Sequence, residues 1–317
     1  MGFPLKAWID DHPGVGHHLA QSGMRGQLRS AERALRRPAQ PDPAALHREV
    51  ARLVGVPPAR TFLTHGATEG MSTVVGYLRG RRRGRVTFRV PSPDYPPFRD
   101  VATGLGMVEA SRVANVTLCS DPNNPTGLGR TGREWSALAR ATQDLVVDET
   151  FREFSPRASR ARAARPREWV VGTFTKVYGG DSVRVGWVVA PPADADGFGT
   201  LHGVAVNEIP PASVGLARSL IGARAAILAE ARALFQRNLA TLRARVRGVP
   251  DLAAPVWFDR GRGGISGDRF ARALLDADVL VCPGRFFGDP TGVRLTLTQR
   301  TFPADLEAYL RVRQRWI

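Results

Sequence analysis

Lys176 is the residue through which this chain could do covalent chemistry: it is one of only two lysines, with Lys6, although Lys and Arg together number 45. Arginine supplies positive charge almost everywhere, so an interior lysine marks a position that needs an amine. A guanidinium, with a pKa above about 12, offers no neutral nitrogen, whereas a lysine amine can lose its proton, attack a carbonyl and form a Schiff base. Lys176 closes Gly172-Thr173-Phe174-Thr175-Lys176, directly after the apolar run Trp169-Val170-Val171, the pattern of a buried strand that ends in a reactive group. A lysine taken alone is most often a solvated charge, so its companions must make the case.

Four other segments carry side chains that packing alone does not demand. In Thr64-His65-Gly66-Ala67-Thr68-Glu69-Gly70 a glycine turn opens a helical stretch from Met71 to Leu78, and such a turn presents free N–H groups and a positive dipole end to an anion. Asp121-Pro122-Asn123-Asn124-Pro125-Thr126-Gly127 is a rigid turn at the carboxyl end of the run Val116 to Ser120, where ligands of open α/β sheets bind. Asp148 ends the run Leu145-Val146-Val147, and Arg184 follows Lys176 by eight residues. Each has a plain alternative: a helix cap, an Asx turn, an N-cap carboxylate and an ordinary arginine.

The elements that must hold these residues follow from apolar patterning. Short runs at 85–90, 116–120, 145–148, 169–174 and 185–190 alternate with helical segments, which implies βαβ units and an α/β large domain, a mostly parallel sheet covered by helices on both faces. That domain is expected over 40–205. Residues 1–39 together with 206–317 are expected to form a smaller α+β domain, including one long linking helix near 212–246 that starts at Pro210-Pro211 and breaks by Gly248-Val249-Pro250. No internal repeat is evident. Gly261-Arg262-Gly263-Gly264 is no dinucleotide loop, because no strand feeds it and no ribose-binding carboxylate follows.

Composition narrows the class. At 317 residues and 43% hydrophobic the chain can bury a large core. No apolar run reaches the ~18 residues of a membrane span, and the N-terminus lacks the apolar stretch of a signal peptide, so the expectation is a cytoplasmic protein with no membrane partner. Cys119 and Cys282 form no CxxC pair and read as buried thiols, and the six histidines show no metal-ligand spacing. The net charge of +16 raises nucleic-acid binding, but the arginines are scattered. The denser runs at Arg79 to Arg83 and Arg157 to Arg167 read as a turn and a loop without interleaved aromatics, so no nucleic-acid partner is expected.

In this order, Asn124-Pro125-Thr126-Gly127, Asp148-Glu149-Thr150-Phe151, Lys176 with Arg184, and Val279 to Gly288 followed by Val293-Arg294-Leu295-Thr296 resemble the class I/II aminotransferases, fold-type-I pyridoxal-phosphate enzymes, over roughly 41–298. The resemblance implies pyridoxal 5′-phosphate held by Lys176 as a Schiff base, amino acid and 2-oxo acid substrates, and a homodimer. Asp148 would pair with the ring nitrogen, Asn124 with the phenolic oxygen, and Tyr95 would stack on the ring. The Ala67 N–H, Thr68, Thr173 and Arg184 would hold the phosphate. Arg294 would fork onto the substrate carboxylate, with Asn124 and the Gly23 backbone beside it.

The chain departs from that pattern in two places. Phe151 stands where many relatives have a tyrosine, and Gln40, before Pro41-Asp42-Pro43, stands where a tyrosine would reach a partner subunit's phosphate. The same motif set also serves decarboxylases and lyases, such as the threonine-phosphate decarboxylases, because the bond that breaks depends on its angle to the ring and not on the motifs. A cofactor-binding DNA regulator is a third reading; the residues before Pro41 hold no convincing DNA-binding domain.

Overall fold

The structure, a computed structural model, describes residues 4–155, 166–261 and 266–316. The arginine run from Arg157 up to position 165, and positions 262–264 of the glycine-rich segment, lie outside them, although, against expectation, a strand, Val256–Asp259, does lead into Gly261. Seven strands form the main sheet, in the spatial order Thr61–Thr64, Gly186–Val189, Glu168–Thr173, Thr142–Asp148, Ala114–Ser120, Thr87–Arg89 and Val108–Glu109. The last five run parallel to one another, and Gly186–Val189 is antiparallel to both its neighbours. The expected mostly parallel sheet is therefore present. The edge strand Val108–Glu109 escaped the apolar patterning because it is two residues long and exposed.

Alternation along the strands shows how both faces are covered. Val170 packs with Trp187, Val189, Leu220, Ile227 and Phe235 in one core, whereas Trp169 and Val171 point the other way, to Val188, Met71, Val74 and Phe198. With a side-chain period of two and helices on each face, every residue of such a strand is buried, which is why the strands read as unbroken apolar runs. Helix Ala67–Gly80 closes the second core, and helices Pro211–Gly222 and Arg224–Arg245 close the first.

Those last two helices correct the expected single helix over 212–246: they meet at 72°. Gly222 is a weak helix former at the junction, and Arg224, at the start of the second helix, is held by Glu153 through Nε at 3.0 Å. Among the described residues no single helix is long and apolar enough to cross a membrane.

A three-stranded antiparallel sheet, Cys282–Pro283, Val293–Thr296 and Val256–Asp259, joins the N-terminal segment to the C-terminal one. His17–His18 pairs in parallel with Val279–Leu280, the Leu19 N–H donates to Leu280 O, and the Thr296 N–H donates to Leu19 O. Helix Phe302–Arg313 packs on this sheet. The sheet also presses on the 121–127 turn. A Cβ on Gly127, at φ +74°, would sit 2.1 Å from Val256 O, so only glycine fits there.

Candidate active site

Ser120, Asp148 and Thr173 end three strands that are neighbours in the main sheet, the edge at which an open α/β sheet binds ligands. Beyond them lies a cavity of about 450 Å³. Of the residues singled out from sequence, Ala67, Thr68, Tyr95, Asn124, Asp148, Thr173, Lys176, Arg184 and Arg294 all line it. Gly23 does not; its neighbour Ser22 does, and Gly23 packs against the stem of Lys176.

One end of the cavity is built for an anion. Helix Ala67–Gly80 starts there, so its first N–H groups and positive dipole end face the space. Gly66 turns the chain into that helix at φ +97°, and a Cβ on it would meet Arg184 Nη2 at 3.2 Å, so the guanidinium lies directly on the turn. Arg184 Nη2 donates to His65 O at 3.1 Å. Arg184 itself has φ +54°, a left-handed backbone that costs a non-glycine residue on the order of 1 kcal/mol. The surrounding structure holds it there: the Phe174 N–H and the Thr173 hydroxyl both donate to Val185 O, at 3.1 and 3.0 Å.

The middle of the cavity is suited to a flat, polar ring. Asp148 is buried, and its Oδ1 accepts from the Thr150 N–H at 2.8 Å. Burial pushes the Asp148 carboxyl up, while Thr150 and the charge of Lys176 pull it down. Asn124 Oδ1 accepts from Arg294 Nη1 at 3.1 Å, which leaves the amide N–H₂ as the end that can donate into the cavity. Tyr95 packs edge-on against Phe98, with ring centres 5.6 Å apart. Burial, with Asp148 close by, pushes its hydroxyl up to about 12, and Thr68 is its hydrogen-bond partner.

Lys176 reaches in from the turn after Glu168–Thr173, where its carbonyl accepts from the Met24 N–H at 2.9 Å. Burial lowers its proton affinity. Arg294 and Arg184 lower it further, and Asp181 and Asp148 act against them. An amine so placed is available as a nucleophile at lower pH than an exposed lysine. Opposite stands Arg294, only 2% exposed. Its Nη2 donates to Ala20 O and to Cys282 Sγ, and the guanidinium lies 5.1 Å over the Phe287 ring. Nε is buried and has no partner among the described residues, a donor still to be satisfied.

Sequence reasoning missed the residue that clamps two walls of this cavity together. Asp94 is fully buried. Its Oδ1 accepts from the Tyr95 N–H at 2.8 Å and from the Ser120 hydroxyl, and its Oδ2 accepts from Arg130 Nη2 at 3.1 Å. Ser120 Oγ in turn accepts from the Asn124 N–H at 2.9 Å. One carboxylate thus fixes both the aromatic wall and the asparagine turn. An aspartate inside Pro93-Asp94-Tyr95-Pro96 was the available signal; Arg130 gave none, being one arginine among many. Helix Pro4–Asp10 was missed too. It brings Leu5, Lys6, Ile9 and Asp10 to the cavity, with Lys6 and Asp10 joined as an ion pair.

Residues 109–308 match aminotransferase class I and II. The chain is 30% identical to the aromatic amino acid aminotransferase of Thermobifida fusca, over 70% of this chain and 62% of that protein. It is 31% identical to the histidinol-phosphate aminotransferase of Symbiobacterium thermophilum, over 66% of this chain and 64% of that one. It thus spans a little under two thirds of the length of these relatives. A pyridoxal-phosphate-dependent aminotransferase from Streptococcus suis has the same fold, with a TM-score of 0.81 over 100% of this chain and 98% of that one at 19% identity. The chain belongs to the class I and II aminotransferase family and has the fold-type-I architecture. The cofactor that family implies, pyridoxal 5′-phosphate, fits the donor set: an amine of lowered proton affinity, a buried carboxylate, an amide donor, an aromatic wall and an anion cradle around one cavity.

Proposed function

We propose that this chain is a pyridoxal 5′-phosphate-dependent aminotransferase, moving an amino group between an amino acid and a 2-oxo acid. The observation that carries the reading is the convergence of Lys176, Asp148 and a buried, incompletely paired Arg294 on one cavity. When bound, the cofactor supplies an aldehyde that condenses with amines and a ring that draws electrons from the carbon bearing the amino group.

The protein's own residues do the rest. The Ala67 N–H, Thr68, Thr173 and Arg184 would hold the phosphate. Asp148 would keep the ring nitrogen protonated by charge, and its burial would make that attraction strong. The Asn124 amide would donate to the phenolic oxygen, and Tyr95 would supply the aromatic wall beside the ring. Arg294 would fork onto the substrate carboxylate, with Asn124 beside it, which would fix the substrate α-carbon near Lys176. Lys176, whose side chain ends in the same cavity, would be the base that takes the proton from that α-carbon.

Leu5, Ile9, Ala20 and Phe151 give the cavity apolar surface on which a large side chain can pack. The two relatives are named for aromatic amino acids and histidinol phosphate, so those amino donors head the panel. The same reading takes 40–205 as the large cofactor-binding domain and the remainder as the small one. It makes the enzyme a cytoplasmic homodimer without membrane or nucleic-acid partners, and the dimer is checked by light scattering of the purified protein.

The test is half-reaction spectroscopy of the cofactor-loaded protein with the donor panel. Loss of the cofactor's visible band with formation of pyridoxamine phosphate is the expected result. Release of CO₂ without pyridoxamine phosphate would replace the aminotransferase with the decarboxylase alternative.

A further inference from the structure

The turn between Lys176 and Arg184 carries a carboxylate that none of the roles above uses. Asp181 lies five residues beyond Lys176, in Gly179-Gly180-Asp181-Ser182. The point where a Cβ on Gly23 would sit is 3.4 Å from Asp181 Oδ2 and 3.6 Å from Lys176 Cδ, so both side chains border the gap that glycine leaves. Asp181 Oδ2 is buried and accepts no hydrogen bond among the described residues. A buried carboxylate oxygen without a donor is costly, and the Lys176 stem that borders the same gap ends in an amine able to supply one. The Lys176 amine does not bond to Asp181 Oδ2 in the resting arrangement. Rotation about the last torsions of a lysine moves its Nζ while leaving Cδ in place, so the amine can turn from the cavity to the carboxylate without backbone movement.

We propose that Asp181 is the counter-ion of Lys176, a positioning residue that receives the ammonium whenever the amine is protonated and not bonded to the cofactor. The other acid facing the lysine, Asp148, cannot serve as well, because it is held by Thr150 and is the group placed for the ring nitrogen. The charges around the amine are otherwise adverse: Arg294 and Arg184 both face it, against Asp181 and Asp148. With two guanidiniums and a single committed carboxylate, the amine would be driven toward the neutral form and would carry a proton poorly. Asp181 restores the balance and gives the released side chain a fixed parking position beside Gly23.

The inference rests on Lys176 being the cofactor lysine only for its consequence; its test needs no cofactor. Cofactor-free, full-length protein is labelled with trace acetic anhydride over a pH series, and the two lysines are read separately by mass spectrometry, Lys6 serving as the internal reference. In Asp181→Asn the titration midpoint of Lys176 is expected to fall by about one pH unit, a roughly tenfold rise in neutral amine at a given pH, with Lys6 unmoved. Asp181→Glu should recover most of that shift. Gly23→Ala keeps the carboxylate but fills the gap and should lower the midpoint too; it also reports if Asp181→Asn fails to fold. A Lys176 midpoint unchanged in the folded variants overturns the proposal. Failure of the aminotransferase reading is a separate outcome, seen as absence of a covalent cofactor bond at Lys176 in the unaltered protein.

Discussion

Two clusters of buried charge in this chain are built in opposite ways. Behind the small sheet, Asp259 is 3% exposed and fully engaged: it accepts from the Tyr309 hydroxyl at 2.7 Å, from Arg313 Nε at 2.6 Å and from the Gly261 N–H at 2.9 Å. Around the large cavity, Arg294 Nε and Asp181 Oδ2 are buried without partners, and burial depresses the proton affinity of Lys176 while raising that of Asp148. A buried charge with all its partners ties elements together. One without them costs stability, and beside a cavity it is a donor or acceptor that a ligand can complete. The first cluster therefore reads as structure and the second as a site.

The largest expected effect separates the two at once. Lys176→Met should lower turnover by on the order of 10⁴-fold, while the cofactor-free variant should remain folded, as read by urea denaturation. Asp148→Asn should lower turnover by roughly 10²-fold, measured with the best donor of the panel, and leave the cofactor-free fold intact. Arg313→Met should behave in the reverse sense. It strands Asp259 and should cost about 3 kcal/mol in chemical denaturation without altering the absorbance of bound cofactor.

A pH series sharpens the contrast. The folded pKa of Lys176 lies below its ordinary value of 10.5, so between the two the unfolded chain binds the extra proton and stability rises with pH. That slope, read from urea midpoints across the alkaline range, should be present in the parent and reduced in Lys176→Met. The smallest effect belongs to an exposed helix cap that bonds to neither cluster. Thr131 caps helix Gly132–Arg140 in a reciprocal capping box with Glu134, and Thr131→Ala should cost about 1 kcal/mol with turnover unchanged.

Much of this was legible in the sequence because the residues concerned have few other uses. A lone interior lysine, an Asn-Pro-Thr-Gly turn and an aspartate closing a valine run are each positioned by local patterning, and the strands that carry them are buried on both faces and so are written as plain apolar runs. Whatever depended on distant segments meeting was not legible. Asp94 acquires its role only when Ser120 and Arg130 are folded onto it. Helix Pro4–Asp10 reaches the cavity in a fold where His17–His18 pairs with Val279–Leu280, far downstream in the chain. The break between Pro211–Gly222 and Arg224–Arg245 was hidden by a continuous helical pattern, and an ion pair to Glu153, seventy-one residues upstream of Arg224, marks it.

The central claim is that one amine in this chain, and not the other, bonds the cofactor. Loading the protein with pyridoxal 5′-phosphate, reducing with borohydride and mapping the modified peptide tests it directly. The account predicts the reduced cofactor on Lys176 alone, and label on Lys6, or on neither lysine, would contradict it.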